Sequence, residues 1–147
     1  MESHSIKPTD LRFSQLLGIR PAPSGTAHLL EMPLVANLKN HWGSMHAAAQ
    51  FALAEAASAE CLQRLFGAKA GEVFAVVRSV DVKYRKPATA DLLAYAVPDD
   101  VTKHTALTEL ATRGRLRAVI LIDLKDREDT LTFHGKFEWF ISRLPFS

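Results

Sequence analysis

Helix-forming residues fill the longest segment of the chain that contains neither proline nor glycine. This segment spans residues 44–66, and Gly67 follows it as a natural C-terminal stop. At 3.6 residues per turn, the pattern predicts a helix of about six turns. Eight alanines lie between Ala47 and Ala59, and such small side chains let a neighbouring sheet approach the helix axis closely.

Alternation of apolar and polar positions predicts a series of strands around this helix. In residues 74–85, Arg78 interrupts an otherwise apolar face, which consists of Phe74, Val76, Val80, Val82 and Tyr84. Residues 26–32 and 91–97 are further strand candidates. Residues 115–125 and 130–141 give the clearest hairpin signal, because the polar turn "DRED" separates two apolar runs.

Two shorter helices complete the predicted elements. One lies within residues 9–17 and the other within residues 102–113, and a glycine follows each of them. The threonines of the second segment also suit a strand. One long helix followed by consecutive strands predicts an antiparallel sheet wrapped around that helix, in a single α+β domain that spans residues 1–147.

The charge pattern and the single cysteine narrow the possible partners and locations. The formal net charge is +2 and basic residues alternate with acidic ones, so neither nucleic acid nor an anionic membrane is expected as a partner. Cys61 has no second cysteine to pair with, which fits a reducing compartment. The polar N-terminal decapeptide does not resemble a signal peptide, and the apolar runs are shorter than a membrane span. We therefore expect a cytoplasmic, soluble protein.

Glu55 occupies an unusual position in the long helix. Successive residues turn by about 100°, and six apolar residues fall within roughly 60° of Glu55. They are Ala48, Phe51, Ala52, Ala59, Leu62 and Phe66. The opposite side carries Gln50, Glu60 and Arg64, the last two at the i, i+4 spacing of a surface ion pair.

Two interpretations of Glu55 remain open. A buried carboxylate must be paired, hydrogen-bonded or neutralised, so Glu55 is either an acid at an incompletely buried spot or a structural partner of Arg78. Alternatively, it is a base or nucleophile kept in a mainly apolar cleft, where desolvation makes a carboxylate more basic.

The residues around this helix resemble those of a known family. Asn40, Gly43 and His46 precede Glu55, which lies nine residues after the histidine, and the later strand ends in "YRKP". This pattern is similar to that of the hotdog-fold acyl-CoA thioesterases, specifically the phenylacetate-pathway type, and the resemblance covers residues 16–141. It implies a hotdog fold, a thioester of coenzyme A as substrate and no cofactor.

The resemblance also implies a role for each matching residue. Glu55 corresponds to the acidic nucleophile or general base, Asn40 to the residue that places the attacking water, and His46 to the histidine at the helix start. Ala47 and Ala48 replace two glycines of the family, and their backbone N–H groups would polarise the thioester carbonyl. Because the added methyl groups narrow the approach, a non-hydrolytic module that binds acyl-CoA or acyl-lipid is the alternative function.

Other residues are candidates for substrate binding. Gly43 belongs to the loop of the motif, and Ser79 is expected to assist the carboxylate from a neighbouring strand. Arg85 and Lys86, in "KYRK", either meet the phosphates of coenzyme A or form a solvated strand end.

Metal binding is not expected, whereas self-association is. The six histidines are scattered and no CxxC or HExxH motif occurs. Val119 and Leu121 interrupt the polar face of a predicted strand, and exposed apolar residues of this kind mark association. The resemblance implies homodimers with the active site between protomers, and commonly dimers of dimers.

Overall fold

Six strands form one antiparallel sheet in the computed structural model, which describes residues 5–145. The strands are β1 (Arg20–Pro21), β2 (Leu30–Met32), β3 (Val73–Tyr84), β4 (Leu92–Pro98), β5 (Arg115–Lys125) and β6 (Leu131–Arg143). Their order across the sheet is β1-β2-β4-β5-β6-β3. Among the described residues, the α-helices are α1 (Arg12–Leu16), α2 (Ala47–Phe66) and α3 (Asp100–Arg113).

The long helix α2 packs against one face of the sheet, where it contacts β2, β4, β5 and β6. Its most deeply buried residues are Leu53, Ala54, Ala57 and Ser58, each with 0% exposure. The helix begins at Ala47 rather than at residue 44, because His46 caps it. The prediction of an antiparallel sheet wrapped around one long helix is confirmed.

The face of α2 that meets the sheet differs from the predicted face. Glu55 is exposed in the single chain, whereas Gln50, which we expected on the solvated side, is 5% exposed. The Gln50 Oε1 atom accepts a hydrogen bond from the Thr132 hydroxyl at 3.0 Å. The helical-wheel prediction was wrong here because alanines surround the helix and leave no distinct apolar direction.

A short chain of hydrogen bonds fixes α2 to the sheet next to Glu55. The indole N–H of Trp139 on β6 donates to the Ser58 hydroxyl at 3.1 Å. The Ser58 hydroxyl in turn donates to the backbone carbonyl of Glu55 at 2.7 Å. Both linking side chains are buried, so the hydrogen bonds are shielded from water and hold this turn of the helix in place.

A bulge in β3 changes which residues of this strand face α2. The register against β6 shifts between Val77 and Ser79, so residues 74 and 76 lie on the outer face of the sheet while residues 80, 82 and 84 lie on the inner face. Our assignment of all five apolar residues to one face was therefore wrong. Arg78 lies at the bulge and places its guanidinium 4.6 Å from the centre of the Phe140 ring.

The outer face of β5 and the outer edge of β3 differ in how they are covered. Helix α3 packs on β5, and Val119 is only 8% exposed there, so our prediction that Val119 forms an exposed association surface was wrong. By contrast, β3 lies at the end of the strand order, and within residues 5–145 no strand pairs with its outer edge. This leaves a long strand with a free row of backbone donors and acceptors.

Replacing Ser58 by alanine is expected to destabilise the fold. The change leaves the buried Trp139 N–H without an acceptor, which costs about 1–3 kcal/mol of unfolding free energy. Urea unfolding at a fixed protein concentration measures this cost. Ser142→Ala, on the outer face of the same sheet, is the control and should change stability by about 0.5 kcal/mol or less. Equal losses in the two variants would contradict the role of the Trp139–Ser58 hydrogen bond.

Candidate functional site

The start of α2 leaves one backbone donor free. His46 Nδ1 accepts a hydrogen bond from the Ala48 N–H at 3.0 Å, and the His46 carbonyl accepts from Ala49 and Gln50. The Ala47 N–H has no acceptor among the described residues. Of the two predicted oxyanion donors, Ala47 is thus available and Ala48 is already occupied by the cap.

Asn40 shapes the loop before the helix with both ends of its side-chain amide. Its Oδ1 atom accepts from the backbone N–H groups of Trp42 at 2.9 Å and Ser44 at 3.2 Å. Its Nδ2 group donates to the Ser44 hydroxyl at 3.0 Å. Gly43 completes the turn with a φ of 81°, a conformation that glycine adopts without strain. In the single chain, therefore, Asn40 and Gly43 build the loop.

The helix start and the end of β3 enclose a small pocket of about 240 Å³. Four of the predicted site residues line it, namely Asn40, Ala47, Arg85 and Lys86. The Tyr84 hydroxyl donates to the Ala47 carbonyl at 3.1 Å. Desolvation raises the pKa of Tyr84, which further favours the protonated hydroxyl that donates this hydrogen bond. The structure thus brings a free N–H donor and two basic residues together.

Tyr84 also lines this pocket, although it was not among the predicted site residues. Its ring meets Phe133 edge-on, with 5.3 Å between ring centres, and its hydroxyl reaches the first helical residue. The signal in the sequence was the aromatic residue that begins "YRKP". Tyr84 anchors the strand end, and with it Arg85 and Lys86, to the start of α2.

Glu55 and Ser79 lie outside this pocket. Glu55 is eight residues after Ala47, about 12 Å along the helix axis. Ser79 pairs with Glu138 of β6 and lies on the face of the sheet that is turned away from α2. Ser79 therefore does not contact Glu55 within one chain, and its assistance to the carboxylate stays a prediction. The alternative pairing of Glu55 with Arg78 is wrong, since the Glu55 side chain has no partner among the described residues.

Other reactive groups do not form a competing site in the part of the chain that the structure describes. Burial raises the pKa of Cys61 to about 11, so its thiol stays protonated and unreactive at neutral pH. Within residues 5–145, no three His, Cys, Asp or Glu side chains are grouped as a metal site would require. In the same range, no helix has the length and apolar character needed to cross a membrane.

Comparison with solved structures shows that the fold is shared with several bacterial proteins. A Pseudomonas aeruginosa protein described as a probable thioesterase is 23% identical, with 97% of this chain and 94% of that chain covered and a TM-score of 0.75. A Haemophilus influenzae thioesterase is 18% identical, with coverage of 94% and 87% and a TM-score of 0.73. A Bacillus halodurans protein crystallised with CoA is 17% identical, with coverage of 88% and 74% and a TM-score of 0.68.

These likenesses agree with the predicted hotdog fold. At such identities they establish a common architecture and leave the chemistry to be argued from the site. None of the curated proteins matches the chain. A family profile matches residues 21–141 of this chain, which is most of its length. The matched range includes the loop, the long helix and the strands, except for the first residue of β1 and the last two residues of β6. The chain therefore belongs to the family described as "Domain of unknown function (DUF4442)".

Proposed function

We propose that the chain is an acyl-CoA thioesterase in which Glu55 is the catalytic carboxylate. The observation that carries this proposal is the exposed, unpartnered Glu55 side chain on a helix whose neighbouring surface is alanine. A carboxylate with no structural partner is free to act on a ligand. Two similar structures belong to proteins described as a thioesterase or a probable thioesterase, and a third contains CoA, which supports this class of substrate.

The distance between the two halves of the site favours a dimer. Glu55 and the free Ala47 N–H are about 12 Å apart along one helix, too far to act on the same carbonyl group. The free edge of β3 offers a route to association, because a second β3 can pair with it in antiparallel fashion.

Such pairing would bring complementary ends of two chains together. Within one chain, Tyr84 at the end of β3 contacts the start of α2, and Val73 at the beginning of β3 lines a cavity with Phe66 at the end of α2. Antiparallel pairing of two copies of β3 therefore sets the helix start of one copy beside the second half of α2 in the other. We propose that each active site combines Glu55 of one chain with Ala47 of a second copy.

The chemistry follows from these positions. Glu55 takes a proton from water as the water oxygen attacks the thioester carbonyl carbon, or it attacks that carbon itself and forms a mixed anhydride that water then hydrolyses. The Ala47 N–H, at the positive end of the helix dipole, stabilises the oxyanion. The C–S bond breaks and the thiolate leaves, taking up a proton. Asn40 and Gly43 hold the loop, and His46 holds the cap, that present this donor.

Arg85 and Lys86 are proposed to bind the phosphates of coenzyme A. Both line the pocket beside Ala47, and basic side chains bind phosphate oxygens through charge-assisted hydrogen bonds. In this proposal the thioester lies at the Ala47 N–H, the pantetheine arm leads from it to the phosphates at the basic side chains, and the acyl group extends in the opposite direction, past Glu55.

The cap at the helix start also favours the alternative function. Since His46 Nδ1 occupies the Ala48 N–H, only one of the two expected donors is free to stabilise an oxyanion. A module that binds acyl-CoA or acyl-lipid without hydrolysing it needs neither donor. The narrower assignment to the phenylacetate-pathway type, the cytoplasmic location and assembly beyond a dimer stay predictions.

Glu55→Gln is expected to leave a folded protein that has lost turnover. The amide keeps the shape of the side chain but can neither accept the proton of water nor attack, so hydrolysis should fall by a factor of about 10² or more. Release of free thiol from a panel of acyl-CoA thioesters measures it. Glu60→Gln, on the same helix and ion-paired with Arg64, is the matched control. If Glu55→Gln hydrolyses at the normal rate, the binding module becomes the preferred function.

Ala47→Pro is expected to remove the oxyanion donor while keeping the helix. Proline is tolerated at the first helical position, and the extended backbone of His46 (φ −58°, ψ 138°) suits a residue before proline. Loss of one such donor lowers turnover by about 10²–10³.

A mixture of Ala47→Pro and Glu55→Gln chains tests the shared site. In a mixed dimer one of the two sites has both intact groups, so activity should return on mixing, and mass measurement in solution should show a dimer. Two folded, inactive variants that stay inactive when mixed into dimers would contradict the shared site.

Replacing Arg85 and Lys86 together by alanine should weaken binding of coenzyme A thioesters more than that of short thioesters without the nucleotide. The ratio of KM values for the two substrate types reports this difference. Replacing Lys39 and Lys136 instead gives a control with the same loss of charge. Equal losses for both substrate types would show that the cluster is a solvated strand end.

A further inference from the structure

A second cavity lies between the end of α2 and the beginning of β3. Its volume is about 320 Å³, at the lower end of the range for pockets that hold small-molecule ligands. Most of its walls are apolar. The side chains that form them include Ala59, Leu62, Phe66, Val73, Ala75 and Trp139.

The cavity continues the helix surface that begins at Glu55. Ala59, Leu62 and Phe66 follow Glu55 at intervals of four, seven and eleven residues, which places them in one stripe along α2. Ala59 is about 6 Å from Glu55 along the helix axis. A ligand whose reacting carbon lies at Glu55 therefore has an apolar cavity directly beyond that carbon.

Hydrogen bonds hold two walls of the cavity. Trp139 is 7% exposed and held by its hydrogen bond to Ser58. On the solvent side, the N-terminal segment at Ser5 and Ile6 forms another wall, and the Gln63 side-chain amide donates to the Ile6 carbonyl across the opening. The volume of about 320 Å³ limits the length of hydrocarbon chain that the cavity accepts, which is what selection by ligand length requires.

We infer that this cavity, the Trp139 pocket, binds the hydrocarbon part of an unbranched aliphatic acyl group. The inference rests on the proposed function for the position of the thioester. The side chain of Ala75 reaches the pocket from the exposed part of β3, and its small size leaves the space open. Ala75 is thus a specificity-determining residue, and acyl groups should be accepted up to the length that fills the pocket.

The binding test uses Trp139 as its own reporter. The chain has two tryptophans, and Trp42 is 82% exposed, so Trp42→Phe leaves Trp139 as the single fluorophore. Straight-chain alcohols of four to twelve carbons, with bromine on the last carbon, serve as neutral probes because bromine quenches tryptophan on contact. We expect saturable quenching, and each further methylene that enters the pocket should tighten binding about fourfold. Absence of quenching by every probe would overturn the inference.

Probe binding to a variant whose added side chain fills the Trp139 pocket provides the second measurement. Ala75→Phe in the Trp42→Phe protein should weaken the ten-carbon probe at least tenfold and leave the four-carbon probe nearly unchanged. Val76→Phe, the adjacent residue on the outer face of β3, is the matched control and should bind all probes normally. Equal effects of both variants on all probes would overturn the inference.

Hydrolysis separates this inference from the proposed function. With acyl-CoA thioesters, Ala75→Phe should move the preferred substrate to a shorter acyl chain. If the probes bind at Trp139 but no thioester is hydrolysed, the pocket stands and the hydrolase proposal fails. If thioesters are hydrolysed with a chain-length preference that Ala75→Phe does not change, the hydrolase stands and the pocket assignment fails.

Discussion

The space above Gly135 is the constraint on which the rest of the structure depends. A Cβ atom at this position of β6 would lie 2.8 Å from ring atoms of both Phe133 and Phe137, closer than packed atoms approach. The two rings occupy this space and are fully buried. Phe137 meets Phe51 of α2 with 5.5 Å between ring centres, and Phe133 meets Tyr84. Because Gly135 has no side chain, both rings can pack above it, and through these rings the glycine sets the distance of α2 from the sheet and the position of Tyr84.

The longer elements could be predicted from the sequence because each has a local cause, whereas the two-residue strand β1 was not predicted and β2 is shorter than expected. The long helix lacks breakers until Gly67, and Gly114 ends α3 in the left-handed conformation with a φ of 72°. The turn between β5 and β6 is held by Asp126, whose Oδ1 atom accepts from Glu128 and Thr130. Such signals lie within a few residues of the structure they determine.

What the sequence did not reveal depends on contacts between distant segments. The buried face of α2 is chosen by the sheet, through Gln50 and Thr132 for example, since alanines make several faces nearly equivalent. The bulge at Arg78 is visible only in the register against β6. The family pattern predicted Asn40 and His46 as site residues, but it carries no information on their hydrogen bonds, which hold them in the loop and in the cap.

The pairing of β3 with β6 has a consequence for the order of folding. Val73 pairs with Arg143 and Tyr84 with Phe133. Strand β3 is therefore synthesised just after the long helix but cannot pair until β6 has been synthesised. Until β6 emerges during synthesis, β3 has no partner on either edge and is exposed to wrong pairing with other chains. Contacts this far apart in sequence also slow folding, because a long loop must close first. Truncation near the C-terminus would therefore disturb β3 in the middle of the chain, and with it Arg85, Lys86 and the part of the Trp139 pocket that Ala75 forms.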